Sequence, residues 1–598
     1  MLLASPAGVA QESESGQAPV APPKSLLPAG KFAPAPAEPA PEVAPATPDA
    51  GAAPGGPETL LPGETLPGGT PPGEASSRSP ALRLQVPAAD PTAGVGWLTL
   101  QTGGYAPTLW SGSSGPFVNT VLRRMPAPTA SRWAHISLRK ALLTQAPTPA
   151  GVVPGNFIAE RAHLLLRMGE VEGAKALVDR APLTGYTKRL FEVAPQAHLA
   201  AGDVASLCPL TQTGISISGD PLWPLMSAVC AALQGDDAGA ALILDREREN
   251  RSAQPFEIRL ADRVAAAISG SNRAVSVNWP EAARLTTFRL GMASVSGVDV
   301  PRQRLENANP AVKGWVVRNP NLPLATRLHA ARTAVVTGAL SSREMVNLLS
   351  LQAVSLDPTA LAALPVGELR QAYAAPTHEA RITALRNLWA EGKTREDRLA
   401  YQLASAHAAA QVPVKAAYLD AAPALARAML LAGDVDGALA WYKLARAEAK
   451  GGNARAGRPL MALWPLVATA EAHGRVPRSG ALFALWAKNW LDGDSDVVDR
   501  QQQLAGAAFA GLGLLDHTDL PSAAVPEAID NAFTRQLQAV IAQRRKGEAI
   551  VLASLGLGRD AATVKPAYVR QALQALCAVG LRREAGLIAA ELLIRNGV

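Results

Sequence analysis

The stretch from Asn156 to Pro182 reads NFIAERAHLLLRMGEVEGAKALVDRAP and contains two apolar stripes on either side of a glycine. The stripes comprise Phe157, Ile158, Leu164, Leu165 and Met168 before the glycine, and Val171, Ala174, Leu177 and Val178 after it. Both have helical spacing, so we expect one helix on each side of Gly169. Asn156 can cap the first helix, and Pro182 marks the stop of the second. The stretch therefore predicts a helical hairpin.

The glycine and acid at the centre of this hairpin recur along the chain. Gly169-Glu170-Val171, Gly202-Asp203-Val204 and Gly235-Asp236-Asp237 follow one another at equal intervals, and the pattern returns at Gly433-Asp434-Val435 and, degraded, at Gly474 and Gly580. We expect the glycine to end the first helix in a left-handed conformation. The acid should lie in the first turn of the second helix, where the helix dipole favours it. Small residues five positions after the glycine should allow close packing; they are Ala174, Ala240, Ala438 and Ala585.

The pattern Gly-(Asp/Glu)-Val-x-x-Ala, repeated with a period of about 34 residues, resembles tetratricopeptide-type repeats. The resemblance implies antiparallel helix pairs stacked into a superhelix with a concave binding face. The small position of the first helix falls on Ala162 and Ala426, whereas the second unit has Pro195 there. The resemblance thus implies an α-solenoid.

Composition agrees with an all-α class. Apolar residues make up 48% of the 598 residues, but only 5% are aromatic. Alanine supplies much of the apolar fraction, and it is the best helix former. We expect residues 91–145 to form an irregular loop and a helical cap, and residues 146–598 to form the solenoid of stacked antiparallel helix pairs. Within it, Glu281–Leu290 and Leu324–Thr337 have helical patterns, and Tyr568–Asn596 should close the array.

The N-terminal residues have a different composition. Residues 11–90 are rich in Pro, Ala and Gly with few large apolar side chains, so we expect a disordered, proline-stiffened linker. Residues 1–10 end in Gly8-Val9-Ala10 before Gln11, and small residues at such a position are typical of a signal-peptidase site. We interpret residues 1–10 as the remnant of a secretory signal peptide; an ordinary flexible terminus is the alternative.

The charge distribution argues against a nucleic-acid partner. The net charge is +7, yet residues 1–90 carry four Lys/Arg and nine Asp/Glu, so the positive excess is spread over the rest of the chain. It forms no concentrated basic stripe, as a nucleic-acid site would require. No apolar run is as long as a membrane-spanning helix needs, so we expect a chain that does not span a membrane.

A search for chemistry predicts no catalytic, cofactor-binding or metal site. The eight histidines have no metal-ligand spacing. Gly392-Lys393-Thr394 lacks the earlier glycine and the strand of a phosphate-binding loop. The serines of Gly214–Gly219 and Gly112–Gly115 lack the spacing of a nucleophile elbow, and we expect flexible loops there.

Two of the three cysteines are placed to pair. We expect Cys208 in the second helix of one unit and Cys230 in the first helix of the next unit. Neighbouring helices of a solenoid permit a disulfide. The alternative is two buried thiols that act as small apolar residues. We expect Cys577 to be a lone core thiol.

Together these features predict a non-enzymatic binding scaffold of the bacterial cell envelope, exported to the periplasm, with a protein or peptide partner. The oligomeric state is left open. Trp441, Trp486 and Trp490 are candidate contact residues, but tryptophan at helical spacing favours a core position. One alternative is a cell-wall glycan-processing enzyme or its accessory subunit, which would need a buried glutamate in a cleft. Another is a cytoplasmic helical-repeat scaffold.

Overall fold

The computed structural model describes residues 94–270, 275–279 and 284–598, and this part of the chain is all-α, with no β-strand. The helices are α1 (Gly115–Arg124), α2 (Arg132–Leu143), α3 (Pro154–Met168), α4 (Val171–Asp179), α5 (Lys188–Ala200), α6 (Thr211–Ser218), α7 (Leu222–Leu233), α8 (Asp237–Asn250), α9 (Pro255–Ser269), α10 (Thr287–Ser296), α11 (Arg302–Glu306), α12 (Pro310–Arg318), α13 (Leu324–Thr337) and α14 (Ser342–Val354). The chain continues with α15 (Pro358–Ala362), α16 (Pro365–Ala374), α17 (His378–Ala390), α18 (Arg395–Ala410), α19 (Ala422–Ala432), α20 (Val435–Lys450), α21 (Gly457–Ala470), α22 (Gly480–Trp490), α23 (Ser495–Gly511), α24 (Ala532–Ala542), α25 (Lys546–Leu557), α26 (Pro566–Ala578) and α27 (Arg582–Arg595). Short 3₁₀ helices are Pro107–Trp110, Leu183–Gly185, Ala205–Leu210, Ala416–Ala421, Ala454–Ala456 and Ser522–Ala524.

Consecutive helices pack in pairs, and the pairs stack. Helix α3 packs on α4 and also on α5, and α7 packs on α8 and α9 in the same way. The α-solenoid of helix pairs predicted from the sequence is therefore confirmed. The predicted signal remnant and the predicted linker lie outside the described residues.

The repeat glycines have the predicted conformation. All six, Gly169, Gly202, Gly235, Gly433, Gly474 and Gly580, have φ between 72° and 90°. Glu170, Asp236 and Asp434 lie one position earlier than expected, because each is the N-cap of the second helix rather than a first-turn residue. Asp203 instead precedes Val204, the N-cap of the 3₁₀ helix Ala205–Leu210. Asp236 and Asp434 accept the backbone N–H groups of Gly239 and Gly437, which is how an N-cap satisfies a free helix donor.

Several local predictions were wrong. Helix α3 begins at Pro154, with Val153 as its N-cap, because proline suits the first position of a helix; Asn156 lies inside it. Helix α10 begins only at Thr287, since Thr286 caps it by accepting the N–H of Arg289. Of the predicted Glu281–Leu290 helix, residues 284–286 are therefore not helical, and residues 281–283 lie outside the described part of the chain.

Helix α2 lies at the centre of the packing. The pair α1 and α2, expected to cap one end, has neighbours on both sides: α2 packs on α3 and α4, and also on α13, α25 and α27. The N-terminal helices therefore pack against the C-terminal ones.

A buried carboxylate makes this junction. Glu591 of α27, 2% exposed, accepts a hydrogen bond from the Ser131 hydroxyl at 2.5 Å and from the backbone N–H groups of Arg132 at 2.8 Å and Trp133 at 3.0 Å. Arg595 pairs with the same carboxylate at 2.9 Å. A negative charge at a helix N-terminus is favoured by the helix dipole and by the free N–H groups. Glu591 thus caps α2 from the other end of the chain.

We expect Glu591→Ala to lower the free energy of unfolding by about 3–5 kcal/mol, because it removes the buried carboxylate that half-buried Arg595 and the first-turn N–H groups of α2 bind. Urea denaturation followed by circular dichroism measures the loss. Glu249→Ala, at an exposed position of α8, is the matched control and should change stability by less than about 0.5 kcal/mol. Equal effects of the two substitutions would show that Glu591 does not hold the junction.

A second pair of variants tests the turn glycines. A Cβ added to Gly433, where φ is +90°, would lie 2.7 Å from ring atoms of Trp133, whereas one added to Gly474, where φ is +77°, meets no atom within 4 Å. We expect Gly474→Ala to cost about 1–2 kcal/mol from the left-handed backbone alone, and Gly433→Ala to cost about 1–3 kcal/mol more from overpacking. Thermal denaturation ranks the two variants, and an equal loss would contradict the contact between the turn and α2.

Candidate functional site

An apolar cleft lies where α20, α21 and α22 meet. It has a volume of about 210 Å³, and its lining residues are Tyr442, Arg446, Leu460, Met461, Trp464, Pro477 and Leu482. They come from the end of one helix pair and the start of the next. The cleft is thus a product of the stacking.

Trp464 forms the floor of the cleft and belongs to a buried aromatic cluster with Phe483, Trp486 and Phe509. The Trp464 ring centroid lies 5.2 Å from that of Phe509 and 6.1 Å from that of Trp486, and the Phe483 centroid lies 5.4 Å from that of Trp486. The Trp464 indole N–H donates to the Pro477 carbonyl at 2.9 Å, which ties the floor to the segment before α22. All four side chains are buried, so the floor is rigidly packed.

Helix α22 presents a second apolar surface. Phe483 and Trp486 are its buried residues, and Leu482 reaches the cleft. On the other side of the helix, Ala481, Ala484, Leu485 and Lys488 are exposed at helical spacing. Leu485 is 48% exposed, as is Val497 of the following helix. One helix therefore separates the cleft from an exposed apolar stripe, and we call the cleft and this stripe together the α22 surface.

Positive charge borders the cleft. No carboxylate in the described part of the chain forms an ion pair with Arg446, a residue of the lining. Burial raises the pKa of the neighbouring Tyr442, and the Arg446 charge opposes that rise. Arg458 lies over the Trp490 ring at 6.0 Å, and Lys443 is exposed on α20. A guanidinium group beside an apolar cleft is a ready partner for a carboxylate.

Two of the three candidate tryptophans belong to the core. Trp441 and Trp486 are fully buried, which confirms the core interpretation for them. Trp490 is half-buried and stacked under Arg458. The sequence argument missed Tyr442, Arg446 and the exposed face of α22. A signal was present in the unbroken apolar run from Ala481 to Trp486, because one helix inside a solenoid seldom buries every face.

The structure joins Cys208 and Cys230 in a disulfide, with their Cα atoms 5.5 Å apart. Cys230 lies in α7, as expected, but Cys208 lies in the 3₁₀ helix Ala205–Leu210 rather than in a regular second helix. Pro209 explains the difference, because it has no N–H group to continue an α-helix. Cys577 of α26 is a free thiol, as predicted, but it is half-buried rather than in the core.

Two buried histidines, His135 and His198, contact carboxylates. The His135 ring, fully buried, lies 2.9 Å from the Glu170 carboxylate, which Arg139 also binds at 2.8 Å. His198 lies 3.3 Å from Asp179, and its pKa is lowered, chiefly by burial. Within residues 94–270, 275–279 and 284–598, no group of three or more His, Cys, Asp or Glu side chains could hold a metal ion.

Two buried glutamates, Glu160 and Glu471, have lowered pKa values. Burial acts to raise the pKa of Glu160, but hydrogen bonds from His163, Arg189 and Arg123 outweigh it and lower that pKa to about 2. Burial likewise opposes ionisation of Glu471, while the backbone N–H groups of Arg475 and His473 and the Arg475 side chain lower its pKa. These environments stabilise a carboxylate rather than a proton donor.

The segments considered for phosphate or nucleophile chemistry are structural. Thr394 is the N-cap of α18 and forms a capping box with Asp397. Gly214 lies within α6, so the loop expected from Gly214 to Gly219 is a helix that ends at Ser218. A Cβ on Gly214 would lie 2.3 Å from the Trp223 ring, so this helix is built by close packing rather than by intrinsic propensity.

None of the helices in the described part of the chain is both long enough and apolar enough to cross a bilayer. Comparison of the chain with protein-family models, curated proteins and solved structures finds no match.

Proposed function

We propose that this chain is a non-enzymatic protein-binding scaffold of the bacterial cell envelope, and that it binds a protein or peptide partner at the α22 surface. The observation that carries the proposal is the arrangement of α22, which has a cleft on one side and exposed Leu485 on the other. A preformed cleft and an exposed apolar area are each typical of interaction sites. The tetratricopeptide-like repeat pattern supports the same reading, since stacked helix pairs commonly present peptide-binding surfaces.

Three features support an envelope location, with the periplasm as the proposed compartment. The small residues before Gln11 match the end of a secretory signal, and the proline-rich linker suits a protein that reaches across an envelope. The pairing of Cys208 with Cys230 is the third argument, because disulfides persist in oxidising compartments. The competing proposal is a cytoplasmic scaffold.

The environments of Glu160 and Glu471 favour a scaffold over a glycan-processing enzyme. A general acid for glycoside cleavage needs a carboxyl group with a raised pKa. Glu160 and Glu471 instead have lowered pKa values and guanidinium partners. Glu160 joins α3 to α1 and α5, and Glu471 binds the segment that follows α21.

Site-specific photo-cross-linking in the native cells tests the binding proposal. We expect p-benzoylphenylalanine at position 482 or 485 to form an adduct of one defined mass. The matched control is position 242 on α8, because Leu242 is also an apolar residue and is 72% exposed. Adducts at position 242 as strong as those at 482 and 485, or none at any of the three, would refute binding at the α22 surface.

Thiol alkylation tests the compartment. Protein denatured directly from the native cells in N-ethylmaleimide should gain one adduct, at Cys577, before reduction and three adducts after it. The reason is that an oxidising compartment preserves the Cys208–Cys230 bond. Mass spectrometry counts the adducts, and three before reduction would place the chain in a reducing compartment.

A further inference from the structure

We propose that the cleft binds an extended, acidic peptide segment in which a carboxylate side chain lies two residues away from a leucine. This inference rests on the proposed binding function of the α22 surface, and it adds the chemical class of the partner. It follows from the size of the cleft, from the charge at its edge and from the geometry of an extended chain.

The size of the cleft selects a side chain rather than a whole small molecule. Its volume of about 210 Å³ is below the roughly 300–1,000 Å³ typical of small-molecule sites. The lining side chains Leu460, Met461 and Leu482 are aliphatic or thioether groups, and Trp464 forms the floor. An aliphatic side chain such as leucine satisfies both the volume and the chemistry.

The positive charge of Arg446 at the edge of the cleft favours a peptide with an acidic side chain. Arg446 lines the cleft without an ion-pair partner among the described residues, whereas the buried carboxylates Glu160, Glu471 and Glu591 have theirs. A guanidinium group binds a carboxylate through two parallel hydrogen bonds. Lys443, Lys450 and Arg458 are exposed on the adjoining helices. An acidic segment would therefore be attracted and a basic one repelled.

The spacing follows from backbone geometry. In an extended chain, residues i and i+2 point to the same side, and they are separated by about 6.6–6.8 Å. With a leucine in the cleft, a side chain two positions before or after it lies on the same side of the peptide, which faces Arg446. Aromatic-lined grooves also favour proline-containing segments, which lose little entropy on binding. The sequence Pro-Glu-Thr-Leu-Leu-Pro-Gly has all three features, and the chain itself contains it at residues 57–63.

Fluorescence anisotropy with this heptapeptide, labelled with fluorescein, tests the inference on the full chain. We expect binding that weakens at least tenfold for Arg446→Glu, for Leu482→Asp, and for a peptide with Lys in place of Glu. Arg455→Glu, an exposed arginine in the neighbouring 3₁₀ helix, is the matched control and should leave binding unchanged. Circular dichroism checks that each variant remains folded.

A linker variant, the full chain with Leu60→Asp, Leu61→Asp and Leu66→Asp, shows whether the linker occupies the cleft. Peptide binding that appears only in the linker variant supports the inference and identifies the linker as the occupant. A Gln-for-Glu peptide that binds as tightly as the Glu peptide, with no effect of Arg446→Glu, would overturn the acidic specificity but leave the binding function intact. No binding to either chain overturns the inference, and the cross-linking at positions 482 and 485 then decides the function separately.

Discussion

The Glu591 carboxylate accepts hydrogen bonds from the first turn of α2, although it lies 460 residues after Ser131 in the sequence. A buried charge is costly unless its partners are already in place. Here the partners are backbone N–H groups that the start of any helix leaves free, together with Arg595. The two ends of the array are therefore joined by a contact that is lost if either helix moves. An open solenoid has no such contact, because each repeat touches only its neighbours.

This junction determines where other elements lie. Trp133 of α2 rests against the turn at Gly433, and Arg595 donates to the carbonyls of Ala130 and Val336. The α19–α20 turn and the end of α13 are thus both anchored to the first helices. Helix α27 in turn packs on α21, which supplies the floor of the cleft. The α22 surface is therefore supported from a junction that includes both ends of the described chain.

Charge is used in two different ways in this protein. Glu160 and Glu591 are buried and accept hydrogen bonds from residues of other helices, so they join helices. Glu471 is buried too, and it binds the segment that follows α21 through N–H groups of His473 and Arg475. Arg446 is half-buried beside apolar side chains and has no ion-pair partner in the part of the chain that the structure describes. A charge that the fold does not neutralise is available to a partner. This contrast separates the structural charges from the one we assign to binding.

The sequence by itself determined the features that depend on neighbouring residues. The helical period predicted α3, α4, α13 and α20, and the six glycines predicted the turns, because a left-handed residue and a capped helix are local events. The two wrong helix starts also have local causes. Pro154 and Thr286 fix where α3 and α10 begin, and the spacing of apolar residues does not show this. Only the tertiary structure decided that Gly214 belongs to a helix packed on Trp223, that Glu591 caps α2, and that Tyr442, Arg446 and Leu482 line one cleft. These contacts join residues far apart in the chain, and neither periodicity nor propensity carries information about them.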